Sequence, residues 1–162
     1  MIESRIIVLD NIHILQVREG LNSYAALSKY TGINVNTIKS WFSTKNTIPK
    51  LSTLDNFCDS FNIYTVDLFI PTSTFQHRSS RRNDSRTCFI QNFKSECIKK
   101  NYFKLEEMLS LCYDGFSTDT LKSYLRSTHG RTIPLANLDF LAERLEIETY
   151  KLLLPQEVAY AT

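Results

Sequence analysis

Val35, Asn36, Lys39 and Ser40 stand at positions 0, 1, 4 and 5, so a helix carrying them gathers them on one face. Their chemistry is that of recognition: an amide that both donates and accepts, a hydroxyl, a cation and a methyl-bearing side chain. A second set, Thr118, Asp119, Lys122 and Ser123, repeats the spacing 83 residues later. Bond-making chemistry has no comparable support. His13, His77 and His129 have no paired carboxylate or nucleophile in a recognisable constellation, and four glycines make no phosphate-cradling loop. Cys58, Cys88, Cys97 and Cys112 form no Cys-x-x-Cys pair, so neither metal nor disulfide is expected. Cys58 falls opposite Ala142 in the repeat, which suits a small core residue. The reading is a non-enzymatic chain without cofactor or metal.

The elements that must position these faces also occur twice. Tyr30, Gly32, Thr37, Lys39 and Ser40 return as Tyr113, Gly115, Thr120, Lys122 and Ser123. Thr47-Ile48-Pro49 returns as Thr132-Ile133-Pro134, Leu54-Asp55 as Leu138-Asp139, and Thr65 as Thr149. Upstream, Ser4-Arg5 and Asn11 return as Ser85-Arg86 and Asn92. Such duplication predicts a covalent pseudo-dimer: a module over 1–71, a connector over 72–86, a second module over 87–155, and a tail over 156–162.

Each module opens on a short apolar run, Arg5–Leu9 or Arg86–Ile90, which reads as a strand, although periodicity leaves a helix open in so short a run. Two such strands would meet across a pseudo-two-fold axis as a small central antiparallel β-ribbon. The rest is mainly α. Helices are expected near 11–19 and 93–100, with a second near Ser23 and near Lys104. Gly32 and Gly115 would supply a positive φ after that second helix. Asn34 and Ser117 would N-cap a third helix, and Pro49 and Pro134 precede a fourth. That fourth helix has a buried stripe of Leu54, Phe57, Cys58 and Phe61, or Leu138, Leu141, Ala142 and Leu145. A short helix over 66–70 or 150–154 closes each module.

At 162 residues with 43% hydrophobic and 12% aromatic content, the chain is globular. No apolar run spans a membrane and no signal peptide is visible, so a reducing cytoplasm is the expected location. The net charge is only +2, but its placement is informative. Residues 1–71 hold six Lys/Arg against six Asp/Glu, and 87–162 hold nine against ten. The connector holds Arg78, Arg81, Arg82 and Arg86 against Asp84 alone, and it reads as a mobile, Ser/Thr/Arg-rich loop.

Residues 24–41 have the logic of a helix-turn-helix. Ala26, Leu27 and Tyr30 would face inward, Gly32 would turn, and Ile33, Ile38 and Trp41 would anchor the third helix from below. Val35, Asn36, Lys39 and Ser40 are then free to enter a major groove. Leu27-Ser28, Gly32-Ile33, Thr37-Ile38, Trp41, Pro49 and Leu54 to Leu68 resemble the phage Cro/repressor helix-turn-helix family over most of 11–70. The second module resembles it more loosely over 93–154, because Leu109-Ser110 sits one residue further from its glycine. That departure implies a longer turn or a rotated second helix.

The resemblance implies double-stranded DNA as partner, with base reading by Val35, Asn36 and Ser40, and by Thr118, Asp119 and Ser123. Asn36 would pair with adenine and Val35 would pack on a thymine methyl. Asp119 repels phosphate unless it accepts from a cytosine amino group. Contacts to the DNA backbone would come from Ser23, Asn34, Lys39, Ser43 and Lys45, and from Lys104, Ser117, Lys122, Arg126, Thr128 and Arg131.

The leading expectation is a repressor that occupies a two-half-site operator as a single chain, with RNA polymerase as the machinery it blocks. The alternative is an accessory DNA-binding protein of a conjugative relaxosome or excision complex, working with processing proteins. The double-headed length is similar to the TraN proteins of Gram-positive conjugative plasmids. An antitoxin-like interaction protein is the third option, but the tail after Pro155 is short for wrapping a toxin.

Overall fold

Both apolar opening runs fold as helix, not strand. A computed structural model describes residues 3–43, 49–71, 75 and 82–156. In it α1 spans Ser4–Arg18 and α5 spans Ser85–Lys99, so Arg5–Leu9 and Arg86–Ile90 lie in their first turns. Val8, Ile12 and Leu15 recur at helical spacing and are buried, as are Phe89, Phe93 and Cys97. No β-strand occurs among the described residues, and the expected central ribbon is corrected to a helical joint.

The remaining helices follow in two like series. The first is α2 Tyr24–Thr31, α3 Val35–Trp41, α4 Leu51–Phe61 and a 3-10 turn at Thr65–Phe69. After α5 come α6 Leu105–Leu109, a 3-10 turn at Ser110–Cys112, α7 Thr118–Tyr124, α8 Leu135–Arg144 and a 3-10 turn at Thr149–Leu152. The stripes of α4 and α8 are buried as their periodicity predicts, Cys58 and Ala142 included.

Packing crosses between the series. α1 lies against α8, α4 against α5, and the two closing 3-10 turns against each other. The Ser4 amide donates to Asp139 Oδ2 at 3.0 Å, and the Ser4 hydroxyl donates to Asp139 Oδ1. Reciprocally, the Ser85 amide donates to Asp55 Oδ2 at 3.0 Å and its hydroxyl to Oδ1 at 2.5 Å. Each carboxylate thus satisfies an amide that the opposite helix cannot pair internally, and it sits at that helix's positive end. Glu3, at the N-cap of α1, makes no side-chain cap of its own. Thr65 and Thr149 donate to the same two aspartates at 2.7 Å each.

Within each series an asparagine, buried in the first and half-buried in the second, ties the first helix to the closing turn. Asn11 Nδ2 donates to the carbonyls of Leu68 at 2.8 Å and Ile70 at 2.9 Å. Asn92 Nδ2 does the same to Leu152 at 3.2 Å and Leu154 at 2.8 Å.

The expected connector is shorter than 72–86 at its far end, since Ser85 and Arg86 belong to α5. Nor is its described end loose. Asn83 receives the Thr65 amide at 3.0 Å and donates through Nδ2 to Asp59 and to the Ile63 carbonyl, each at 2.9 Å. Arg78, Arg81, His77 and the tail beyond 156 lie outside the described residues. No helix among the described residues is long and apolar enough to cross a membrane.

Candidate nucleic-acid interface

The first α2–α3 pair is built by its caps. Ser23 Oγ accepts the Ala26 amide at 3.0 Å and starts α2. Gly32 ends it in the left-handed conformation, φ +74°, with open space where a Cβ would point. Asn34 Oδ1 then accepts the Asn36 amide at 2.8 Å and starts α3. Leu27, Ile38 and Trp41 are buried beneath, with Trp41 edge-on to Phe57. Tyr30 corrects the inward reading of α2: it is half exposed and packs its ring on Phe61, with centroids 4.7 Å apart.

This anchoring exposes Asn36 and Lys39 and leaves Val35 and Ser40 half-buried. The Ser40 hydroxyl donates to the Thr37 carbonyl at 2.6 Å, and Ser43 donates to the Ser40 carbonyl at 3.0 Å. Lys45 lies outside the described residues. From Asn22 to Ser43 the chain has two lysines and no carboxylate.

The second pair departs from this pattern at the turn. α6 lasts five residues and tightens into the 3-10 turn Ser110–Cys112, the structural form of the one-residue shift seen in sequence. The positive φ expected at Gly115 belongs to Asp114, at +67°. Gly115 is needed for closeness: a Cβ there would lie 2.5 Å from Phe140 Cζ. Ser117 Oγ accepts the Thr120 amide at 3.1 Å and starts α7.

On α7, Asp119 and Lys122 are exposed and Thr118 is half-buried, but Ser123 is 6% exposed. Its Oγ accepts the Arg131 amide at 2.9 Å, so Ser123 is corrected from base reader to loop fastener. Lys104, Arg126, Thr128 and Arg131 are exposed, and Arg131 Nη1 reaches Thr120 Oγ1 at 3.1 Å. The surface is less basic than the first: Phe103 to Leu125 hold Glu106, Glu107, Asp114 and Asp119 against two lysines. Its compensating cations, Arg126 and Arg131, sit in the loop after α7.

Sequence reasoning missed the role of Arg86. Its guanidinium donates to four carbonyls at the end of α7 and in the following loop. The acceptors are Ser123 at 2.6 Å, Tyr124 at 3.0 Å, and Arg126 and Arg131 at 2.7 Å each. Desolvation there lowers its pKa, partly opposed by Asp84. Arg5, its sequence counterpart, donates to the Trp41 carbonyl at 3.3 Å. The available signal was the Ser-Arg pair itself, identical in both copies.

Among the described residues no group of His, Cys, Asp and Glu could hold a metal ion. Burial raises the thiol pKa of Cys58, Cys97 and Cys112, to about 12 for Cys97, which suits inert core residues.

A capped helix pair with the second helix exposed over a buried anchor is the arrangement of a helix-turn-helix DNA-binding protein. Residues 11–72 match the family model of the Cro/C1-type helix-turn-helix DNA-binding domain. No curated protein and no solved structure matches the chain.

Proposed function

We propose that the protein is a double-headed, sequence-specific DNA-binding regulator that occupies two half-sites as one chain and represses by blocking polymerase. The carrying observation is the reciprocal joint, Ser4 with Asp139 and Ser85 with Asp55. Contacts in which i meets j′ and i′ meets j are what a two-fold dimer interface makes. In one chain they supply both heads without self-association. The first head reads bases with Val35, Asn36 and Ser40, and holds phosphates with Ser23, Asn34, Lys39, Ser43 and Lys45. The second reads with Thr118 and Asp119 and holds phosphates with Lys104, Ser117, Lys122, Arg126, Thr128 and Arg131. Unlike reading residues mean unlike half-sites.

Selection of bound duplexes from a random pool, followed by footprinting and sedimentation, tests this reading. The expected result is one chain over two successive major grooves, about 10 bp apart on one face. A minimal site that strictly needs two chains would refute it. Whether the natural site abuts a promoter or a transfer origin separates repression from an accessory role in conjugative processing.

A further inference from the structure

The second head carries Arg126 and Arg131 in the loop after α7, and one side chain organises that loop. Arg86 spreads its donors over the carbonyls of Ser123, Tyr124, Arg126 and Arg131, which fixes the end of α7 against the start of α5. A planar fork of five donors suits this task, and a single ammonium does not. The loop is shaped to admit it: a Cβ on Gly130 would collide with Arg86 Nη2 and with the Ser123 carbonyl oxygen. The Arg131 backbone is held at both ends, its amide by Ser123 Oγ and its carbonyl by Arg86. The residue before Arg86 is Ser85, whose amide and hydroxyl are bound by Asp55 of the first half.

We propose that Arg86 is a positioning residue for DNA binding by the second head, presenting Arg126 and Arg131 to the phosphates, and that Asp55 supports this from across the joint. The inference rests on the DNA-binding reading above and adds a dependence of one head on the other half. Asp55 anchors the first turn of α5, α5 carries Arg86, and Arg86 carries the loop. The first half has the same order of parts, Asp139, Ser4, Arg5 and the Trp41 carbonyl.

The test uses the full chain and a duplex selected from a random pool, alongside the same duplex with either half-site scrambled. Arg86→Ala should weaken binding at the second head's half-site by roughly tenfold or more, with the first half-site contribution kept. The salt slope should fall by about 2, one for each phosphate that Arg126 and Arg131 no longer neutralise. Gly130→Ala should reproduce the loss, because its Cβ evicts the guanidinium and also pushes the loop off the Ser123 carbonyl. Arg86→Lys keeps charge and helix but not the fork, so it should not rescue. Faster amide exchange at Arg131 in Arg86→Ala would report the released loop without DNA. Asp55→Ala should weaken the second half-site more than the first.

Unchanged affinity and salt slope in Arg86→Ala, equal loss at both half-sites, or full rescue by lysine would each overturn the positioning role. A loss confined to the first half-site in Asp55→Ala would overturn the cross-joint support. A wild-type chain that binds no duplex would overturn the DNA-binding reading and this inference with it. A wild type that binds while Arg86→Ala binds equally well overturns the inference alone.

Discussion

Ser4 and Asp139 are 135 positions apart, yet the serine amide donates to the aspartate at 3.0 Å and its hydroxyl donates to the second oxygen. One carboxylate thereby caps a helix of the other half, and Asp55 does the same for Ser85. The joint is a pair of borrowed helix caps.

Removing a borrowed cap leaves a helix amide and a serine hydroxyl without their acceptor. Asp139→Ala should lower unfolding stability by about 1–3 kcal/mol, since the hydrogen bonds removed are to a charged group. Urea denaturation followed by circular dichroism measures it; a midpoint equal to wild type would show that these bonds contribute nothing.

Asp55 also gives the joint a pH dependence. Burial raises its pKa above the ordinary 3.8, with hydrogen bonds from Ser85 and Thr65 partly opposing the shift. A raised carboxyl binds its proton more tightly folded than unfolded. Its contribution is therefore fully present below the unfolded value and is lost as pH rises through the folded one. Measured from pH 3.8 upward, wild type should lose stability relative to Asp55→Ala. A difference that grows with pH would contradict the assignment.

The two asparagines should act alike in the two halves. Asn11→Ala strips the Leu68 and Ile70 carbonyls of their donor, and Asn92→Ala strips Leu152 and Leu154. Each substitution should cost about 1–3 kcal/mol, the penalty of polar groups left unsatisfied. Chemical denaturation of the single variants would reveal whether either asparagine is dispensable.

Two glycines in corresponding places should respond to alanine for different reasons. Gly32→Ala meets open space but forces a left-handed residue, at about 1–2 kcal/mol. Gly115→Ala meets the Phe140 ring, an overpacking cost of about 1–3 kcal/mol. The added change Phe140→Leu should relieve only the second, which thermal melts of the paired variants can establish.

Asn36→Ala should cost on the order of 1–3 kcal/mol of binding and relax specificity at one half-site. Ser123→Ala should instead release the Arg131 amide and leave base preference as it was. Binding to a panel of single-base operator variants distinguishes them; matching specificity profiles would undo the assignment.

The course of α2, α3, α4 and α8 was legible because caps and apolar stripes are local signals. Asn34, Ser117, Gly32 and the Leu54 stripe each carry their own reason. The opening helices were not legible, because Arg5–Leu9 is apolar on consecutive positions and its first turn is capped from 135 residues away. Ser123 misled because a serine at an outward helical position looks the same whether it meets solvent or the Arg131 amide. The repeat was visible, but its meaning was displaced. Ser4/Ser85, Arg5/Arg86, Asn11/Asn92, Asp55/Asp139 and Thr65/Thr149 all serve folding and the joint, whereas Val35-Asn36 and Thr118-Asp119, proposed to read bases, differ.

Because the joint offers the same donor and the same acceptor from both sides, those contacts cannot tell one half from the other. Ser4 would find in Asp55 of a second chain the carboxylate it finds in Asp139. Self-recognition is therefore delegated to covalent linkage, which keeps the correct half at a high effective concentration. Asn83 adds a further lock, binding Asp59 and Ile63 of the first half just ahead of α5. A chain severed in the link would lose that bias and become free to exchange halves with its neighbours, turning an internal seam into a domain-swapping surface.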